Sequence, residues 1–137
     1  MPFLTADAIK QAYDVIVVGA GPAGSATATH LARRGLAEPI GSLTQLVLEG
    51  APTSDIRDFI EFTTRVGLPT TLTEVGLRPD DTDSLRTIAD ASTVEGETIH
   101  AMPFEVHSDD VASALRSIER FAVQVRQDAK LPAPVPY

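Results

Sequence analysis

Apolar positions along this chain recur with two periods. Tyr13-Asp14-Val15-Ile16-Val17-Val18 contains four consecutive β-favouring residues, Val15 to Val18, the pattern of a strand buried on both faces of a parallel sheet. From Pro22 onward the period becomes helical. Ala23, Ala26, Thr27, His30 and Leu31 stand at i, i+3, i+4 spacing and predict a helix over 22–34, with Arg33 and Arg34 in its last turn and Gly35 at its stop. Leu46-Val47-Leu48-Glu49 reads in two ways: as a second strand, or as part of a helix over 42–49 with Leu43, Leu46 and Val47 on one face and Gly50 ending it.

Beyond Pro52 the pattern is that of successive amphipathic helices. Thr53 or Ser54 can cap one whose apolar positions are Ile56, Phe59, Ile60, Thr63 and Val66, closed by Gly67 and Leu68-Pro69. Thr71 with Glu74 has capping-box spacing for a short helix to Val75, stopped by Gly76. Arg78 to Asp83 reads as an acidic turn. Leu85, Ile88 and Ala89 mark a further helix to about Thr93, broken by Gly96. Ser108-Asp109-Asp110 signals the start of the last helix, the Ser108 hydroxyl capping and the acids favoured by the helix dipole. Its apolar face is Val111, Ala114, Leu115, Ile118, Phe121, Ala122 and Val125, with Arg116, Glu119, Arg120 and Arg126 mostly opposite. Three prolines between Leu131 and Tyr137 predict an extended tail.

The expected fold is therefore α/β but mostly α: one N-terminal β-strand, glycine-rich turn and helix unit, followed by a four- to five-helix region. The divisions are an N-terminal extension over 1–12, a βα fragment over 13–37, a helical domain over 38–128 and a proline-rich tail over 129–137. With 137 residues the chain is shorter than a two-domain dehydrogenase or flavoprotein. Aromatics make up 5% of the chain and Trp is absent, so the core must be aliphatic and alanine-rich.

Charge and residue types narrow the chemistry. The net charge of −8 is uneven: Lys10, Arg33 and Arg34 against Asp7 and Asp14 leave residues 1–37 at +1 and the remainder at −9. That balance disfavours nucleic acid and anionic membrane surfaces as partners, and it is of the kind a salt-adapted source would give. Without cysteine there are no disulfides, thiolate metal sites or thiol nucleophiles. No apolar run reaches the roughly 18 residues of a membrane helix, and residues 1–11 lack the pattern of a secretory signal, so a cytoplasmic protein is expected. No serine sits in a G-x-S-x-G turn. The pairs Asp80-Asp81 and Asp109-Asp110 are accounted for by a turn and a helix start.

The candidate cofactor site is the turn Gly19-Ala20-Gly21-Pro22-Ala23-Gly24. Gly19, Gly21 and Gly24 stand at G-x-G-x-x-G spacing between a strand-like run and a helix, where glycines permit the tight turn, the approach of a pyrophosphate and close helix–strand packing. The phosphate would take the free N–H groups at the helix start. If Leu46 to Glu49 is a strand, Glu49, 25 residues after Gly24, is the candidate ribose acceptor. His30 has no other ligand type at a helical interval, and reads as a structural residue.

Two resemblances attach to these residues. Tyr13 to Gly24, with Ala32-Arg33-Arg34-Gly35-Leu36 after the helix, resembles the N-terminus of FAD-dependent oxidoreductases of the geranylgeranyl reductase and aromatic monooxygenase type, over about 24 residues. That resemblance implies FAD rather than NAD. The part from Gly41 to Gln127 is similar to the C-terminal helical region of glycerol dehydrogenase, in the iron-containing alcohol dehydrogenase superfamily. It is carried by Gly41-Ser42-Leu43-Thr44-Gln45-Leu46-Val47-Leu48-Glu49, Val66-Gly67-Leu68-Pro69-Thr70-Thr71-Leu72, Val75-Gly76-Leu77, Ala89-Asp90-Ala91, Glu95-Gly96-Glu97-Thr98-Ile99-His100 with Met102-Pro103, and Val111-Ala112-Ser113-Ala114-Leu115.

The second resemblance implies NAD bound in an upstream α/β domain, and a zinc held by one Asp and two His. The last of those histidines belongs to a His-Gly-Glu motif, whose place here is taken by Arg34-Gly35-Leu36-Ala37-Glu38-Pro39-Ile40. No zinc ligand and no catalytic residue is therefore assigned. The resemblance also makes Leu46 to Glu49 helical, and leaves His100 a structural or cleft-lining residue. The expectation is an oxidoreductase-derived, glycerol dehydrogenase-like protein, truncated and inactive alone. The alternatives are an FAD-binding module and a non-enzymatic helical interaction domain. A small-molecule dinucleotide and a second copy of the chain are the expected partners.

Overall fold

The computed structural model describes Gly21, Pro22, Ala23, Thr27 and residues 38–136. The strand expected over 13–18 lies outside these residues, as do Gly19, Ala20, Gly24 and His30. Pro22, Ala23 and Thr27 are helical, with the Thr27 hydroxyl donating to the Ala23 carbonyl at 2.9 Å. Among the described residues there are four α-helices and no strand: α1 (Glu38–Leu48), α2 (Thr53–Arg65), α3 (Thr82–Ser92) and α4 (Ser108–Asp128). Two 3-10 turns, Thr73–Val75 and Thr98–Ala101, punctuate the connections. No helix among them is long and apolar enough to cross a membrane.

Helix α4 is the common wall, packing against α1, α2 and α3. Its buried Val111, Ala112, Leu115, Ile118, Ala122 and Val125 meet Ile40 and Leu43 of α1, Ile60 of α2 and Leu85 and Ala89 of α3 in one core. Leu72 and Ile99 from the connections complete it. Each fully buried Leu or Ile contributes about 1.5–3 kcal/mol relative to exposure. The core is aliphatic, with Phe59 and Phe121 at its edge and Phe62 and Phe104 exposed.

The helix ends repeat one device. After α1, Gly50 N–H donates to the Val47 carbonyl and Ala51 N–H to that of Leu46; after α2, Gly67 and Leu68 do the same to Thr64 and Thr63. These are paired closing bonds around a left-handed residue, φ +67° at Gly50 and +82° at Gly67, which costs glycine nothing. At the end of α4 the same pair runs from Lys130 to Gln127 and from Leu131 to Arg126, but the left-handed residue is Lys130 at φ +54°.

Three helix starts differ from expectation. Pro52, not Thr53 or Ser54, occupies the cap position of α2, where its fixed φ suits the first turn, and no side chain caps the helix. The Thr71 to Val75 segment closes as a 3-10 turn, although Thr71 and Glu74 do pair as expected. At α4 the cap position is His107, whose N–H donates to Asp110 Oδ2 at 2.8 Å, while the Ser108 hydroxyl turns to Asp90 of α3. Helix α3 is capped by Asp81, which accepts from the Ser84 N–H at 3.0 Å.

Candidate functional site

Residues 42, 45, 46 and 49 lie on one face of α1 and its end, because i, i+3, i+4 and i+7 share a helical face. That face forms one side of an open cleft of about 630 Å³, lined also by Gly21, Pro22, Phe59, Ala101, Met102, Pro103 and Phe104. The volume lies in the range of small-molecule sites. Two of the expected cofactor-turn residues, Gly21 and Pro22, thus share a cleft with Glu49.

Gln45 organises this region. Its Oε1 accepts from the Ala23 N–H at 2.9 Å, and its Nε2 donates to Glu49 Oε2 at 3.1 Å and lies 3.2 Å from the Met102 sulfur. One buried amide therefore joins the glycine-rich turn, the end of α1 and the Met102-Pro103 segment. A Cβ placed on Gly21 would lie 2.6 Å from Gln45 Cδ, so the missing side chain at Gly21 is the space Gln45 occupies. The Ala23 N–H, one of the groups a phosphate would use, is held by the same amide. Thr98 secures the turn from the other side, its hydroxyl donating to the Pro22 carbonyl at 2.9 Å. The Ser42 hydroxyl is buried without a hydrogen-bond partner among the described residues.

A second polar constellation went unread in the sequence. Arg126, placed by its period on the polar face of α4, is 5% exposed and grips Glu74 with two bonds, Nη1 to Oε1 at 2.9 Å and Nη2 to Oε2 at 3.0 Å. Its Nε donates to Thr64 Oγ1 at 3.2 Å. Glu119, also assigned to the polar face, is buried and accepts from the Leu72 N–H at 2.6 Å and the Thr73 hydroxyl at 2.7 Å. Glu119 turns inward because the 70–74 connection offers N–H and hydroxyl donors that need an acceptor, and Arg126 because the Glu74 carboxylate needs a donor. The network pins that connection to α4.

Of the histidines, His100 and His107 are among the described residues. His100 Nε2 lies 3.1 and 3.0 Å from the carbonyls of Thr93 and Val94, so it bears the proton and closes the end of α3. His107 is exposed beside Glu105. Asp80 pairs with Arg78 and Asp109 with Arg86 on the surface. Among the described residues no three of His, Cys, Asp or Glu come together at a spacing that could hold a metal ion.

No family model matches the chain. Glycolaldehyde reductase of Halobacterium salinarum is 42% identical over 98 residues, 72% of this chain and 27% of the relative. Glycerol dehydrogenase of Citrobacter freundii is 39% identical over 84 residues, 61% of this chain and 23% of that protein. Among solved structures, a probable glycerol dehydrogenase from Sinorhizobium meliloti superposes with a TM-score of 0.68 at 26% identity, over 73% of this chain and 30% of that one. Glycerol dehydrogenase of Schizosaccharomyces pombe reaches 0.74 at 22% identity, over 83% and 32%, a likeness of fold alone.

The C-terminal part of the chain is thus glycerol dehydrogenase-like in sequence and in fold. These similarities support an oxidoreductase of that kind. The chain spans about a quarter of the length of the two curated relatives.

Proposed function

We propose that the helices over 38–128 are the C-terminal helical part of a glycerol dehydrogenase-like oxidoreductase, whose family reaction is the NAD-dependent oxidation of glycerol or a related polyol. The observation that carries this reading is the 42% identity to glycolaldehyde reductase over 98 residues. Hydride transfer needs a bound nicotinamide and a group that stabilises the alkoxide, a role a zinc ion fills when present. The described residues contribute packing and a cleft wall to such an enzyme, not the reacting groups. The 137-residue chain by itself is then inactive.

The test is an absorbance assay of the purified chain with glycerol and NAD, and with glycolaldehyde and NADH, each with and without zinc. Rates at the buffer level are expected. Turnover proportional to protein concentration overturns the proposed inactivity.

A second reading, a dinucleotide-binding module with FAD or NAD on Gly19 to Gly24, is favoured by Gly21 and Pro22 lining the same cleft as Glu49. It requires Gln45 to release the Ala23 N–H. Calorimetric titration with FAD and NAD separates the two readings: heat of binding that reaches saturation favours the module, and its absence favours the helical part.

A further inference from the structure

We propose that the cleft beside α1 binds a small organic ammonium ion, a cation carried on a compact apolar body. Among the described residues of the lining, Glu49 is the single ionisable side chain, and none is a lysine or arginine. Gln45 ties Glu49 Oε2 and so orients the carboxylate, leaving Oε1 as an acceptor. The carboxylate stands just past the C-terminus of α1, where the helix dipole is negative and the last turn carries no basic residue to offset it. Residues beyond position 37 add a net charge of −9.

The remaining walls suit the apolar body. Leu46, Met102, Pro103 and the rings of Phe59 and Phe104 line the cleft, and aromatic faces attract cations as well as hydrocarbon. Ser42, 4% exposed and also in the lining, has a hydroxyl with no partner among the described residues. A buried unpaired hydroxyl is unfavourable in the empty protein and is satisfied when a ligand brings a donor. An anionic ligand would meet the carboxylate and the helix end together.

The experiment is an NMR titration of the ¹⁵N-labelled full chain with benzylammonium, benzyl alcohol and benzoate, read at the amides of Ser42, Gln45, Glu49 and Met102. Benzylammonium is expected to saturate those shifts, binding about fivefold tighter than the alcohol, the ratio a partly exposed ion pair supports. Benzoate is expected to leave them unchanged. Glu49→Gln should remove the preference for the ammonium. Ser42→Ala should weaken it while leaving the melting temperature equal or higher, because the hydroxyl has no bond to lose among the described residues. Equal binding of all three probes, no saturation with the ammonium, or a preference that survives Glu49→Gln overturns the proposal.

Discussion

Arg126 and Glu74, 52 positions apart in the chain, meet as a two-bond ion pair in which Arg126 is 5% exposed. Taking both charges out of water is costly, and the cost is offset by further hydrogen bonds: Thr64 accepts from Arg126 Nε, and the Thr70 N–H and the Thr71 hydroxyl donate to Glu74 Oε1. Removing one partner strands the other. Arg126→Met should destabilise the chain by about 3–5 kcal/mol in urea unfolding, and the double variant Arg126→Met, Glu74→Gln by clearly less. Equal losses in the two variants would show that the carboxylate finds another partner.

Gly21 is open to a substitution test of the turn. In Gly21→Ala the new methyl group displaces the Gln45 amide, so the buried Ala23 N–H loses its acceptor. A loss of about 1–3 kcal/mol is expected. Gln45→Ala, which removes the same acceptor, should make Gly21→Ala nearly neutral when the two are combined. A double-mutant cycle measures this coupling.

Lys130 holds a left-handed conformation that disfavours every residue with a Cβ. Lys130→Gly should raise stability by about 0.5–1 kcal/mol, the conformational relief being partly offset by the greater entropy of glycine in the unfolded chain. Thermal unfolding followed by circular dichroism reads the change. A lower melting temperature would mean that the lysine stem contributes contacts worth more than the backbone relief.

Asp80 titrates below the ordinary carboxylate range, first through its hydrogen bond from Arg78 and then through the charge of that guanidinium. A depressed carboxyl stabilises the fold above its unfolded pKa and loses that contribution as pH falls through the folded one. Both side chains are exposed, so the effect on stability is small. Arg78→Ala should move the Asp80 midpoint upward in an NMR titration, toward the usual aspartate value. An unmoved midpoint would assign the depression to the backbone of the turn.

Much of the helical layout was legible because glycine, proline and the helical period punctuate it locally. Gly50, Gly67 and Gly76 all stop a helix or turn where the pattern indicates. The polar interior was not legible. Glu119 and Arg126 sit at the edges of an apolar stripe, and period alone sends such residues outward. Only their partners on the 70–74 connection, some 50 positions away, turn them inward: Leu72 and Thr73 as donors to Glu119, and Glu74 as acceptor from Arg126. The cleft was hidden for the same reason: Gln45 and Met102 are 57 residues apart, and nothing in either segment announces the other. Gly21 shows a further limit, since the spacing suggests room for a phosphate and the described neighbour is a glutamine.

The position of α4 as the shared wall bears on how the chain reaches this state. Helices α1, α2 and α3 bury their apolar faces chiefly against a segment that begins only at Ser108. While the ribosome is still upstream of that point, the nascent helices have amphipathic faces and no surface to close on. Folding is therefore held back until α4 has emerged, and the interval before it is when holding chaperones and proteases have access to the chain.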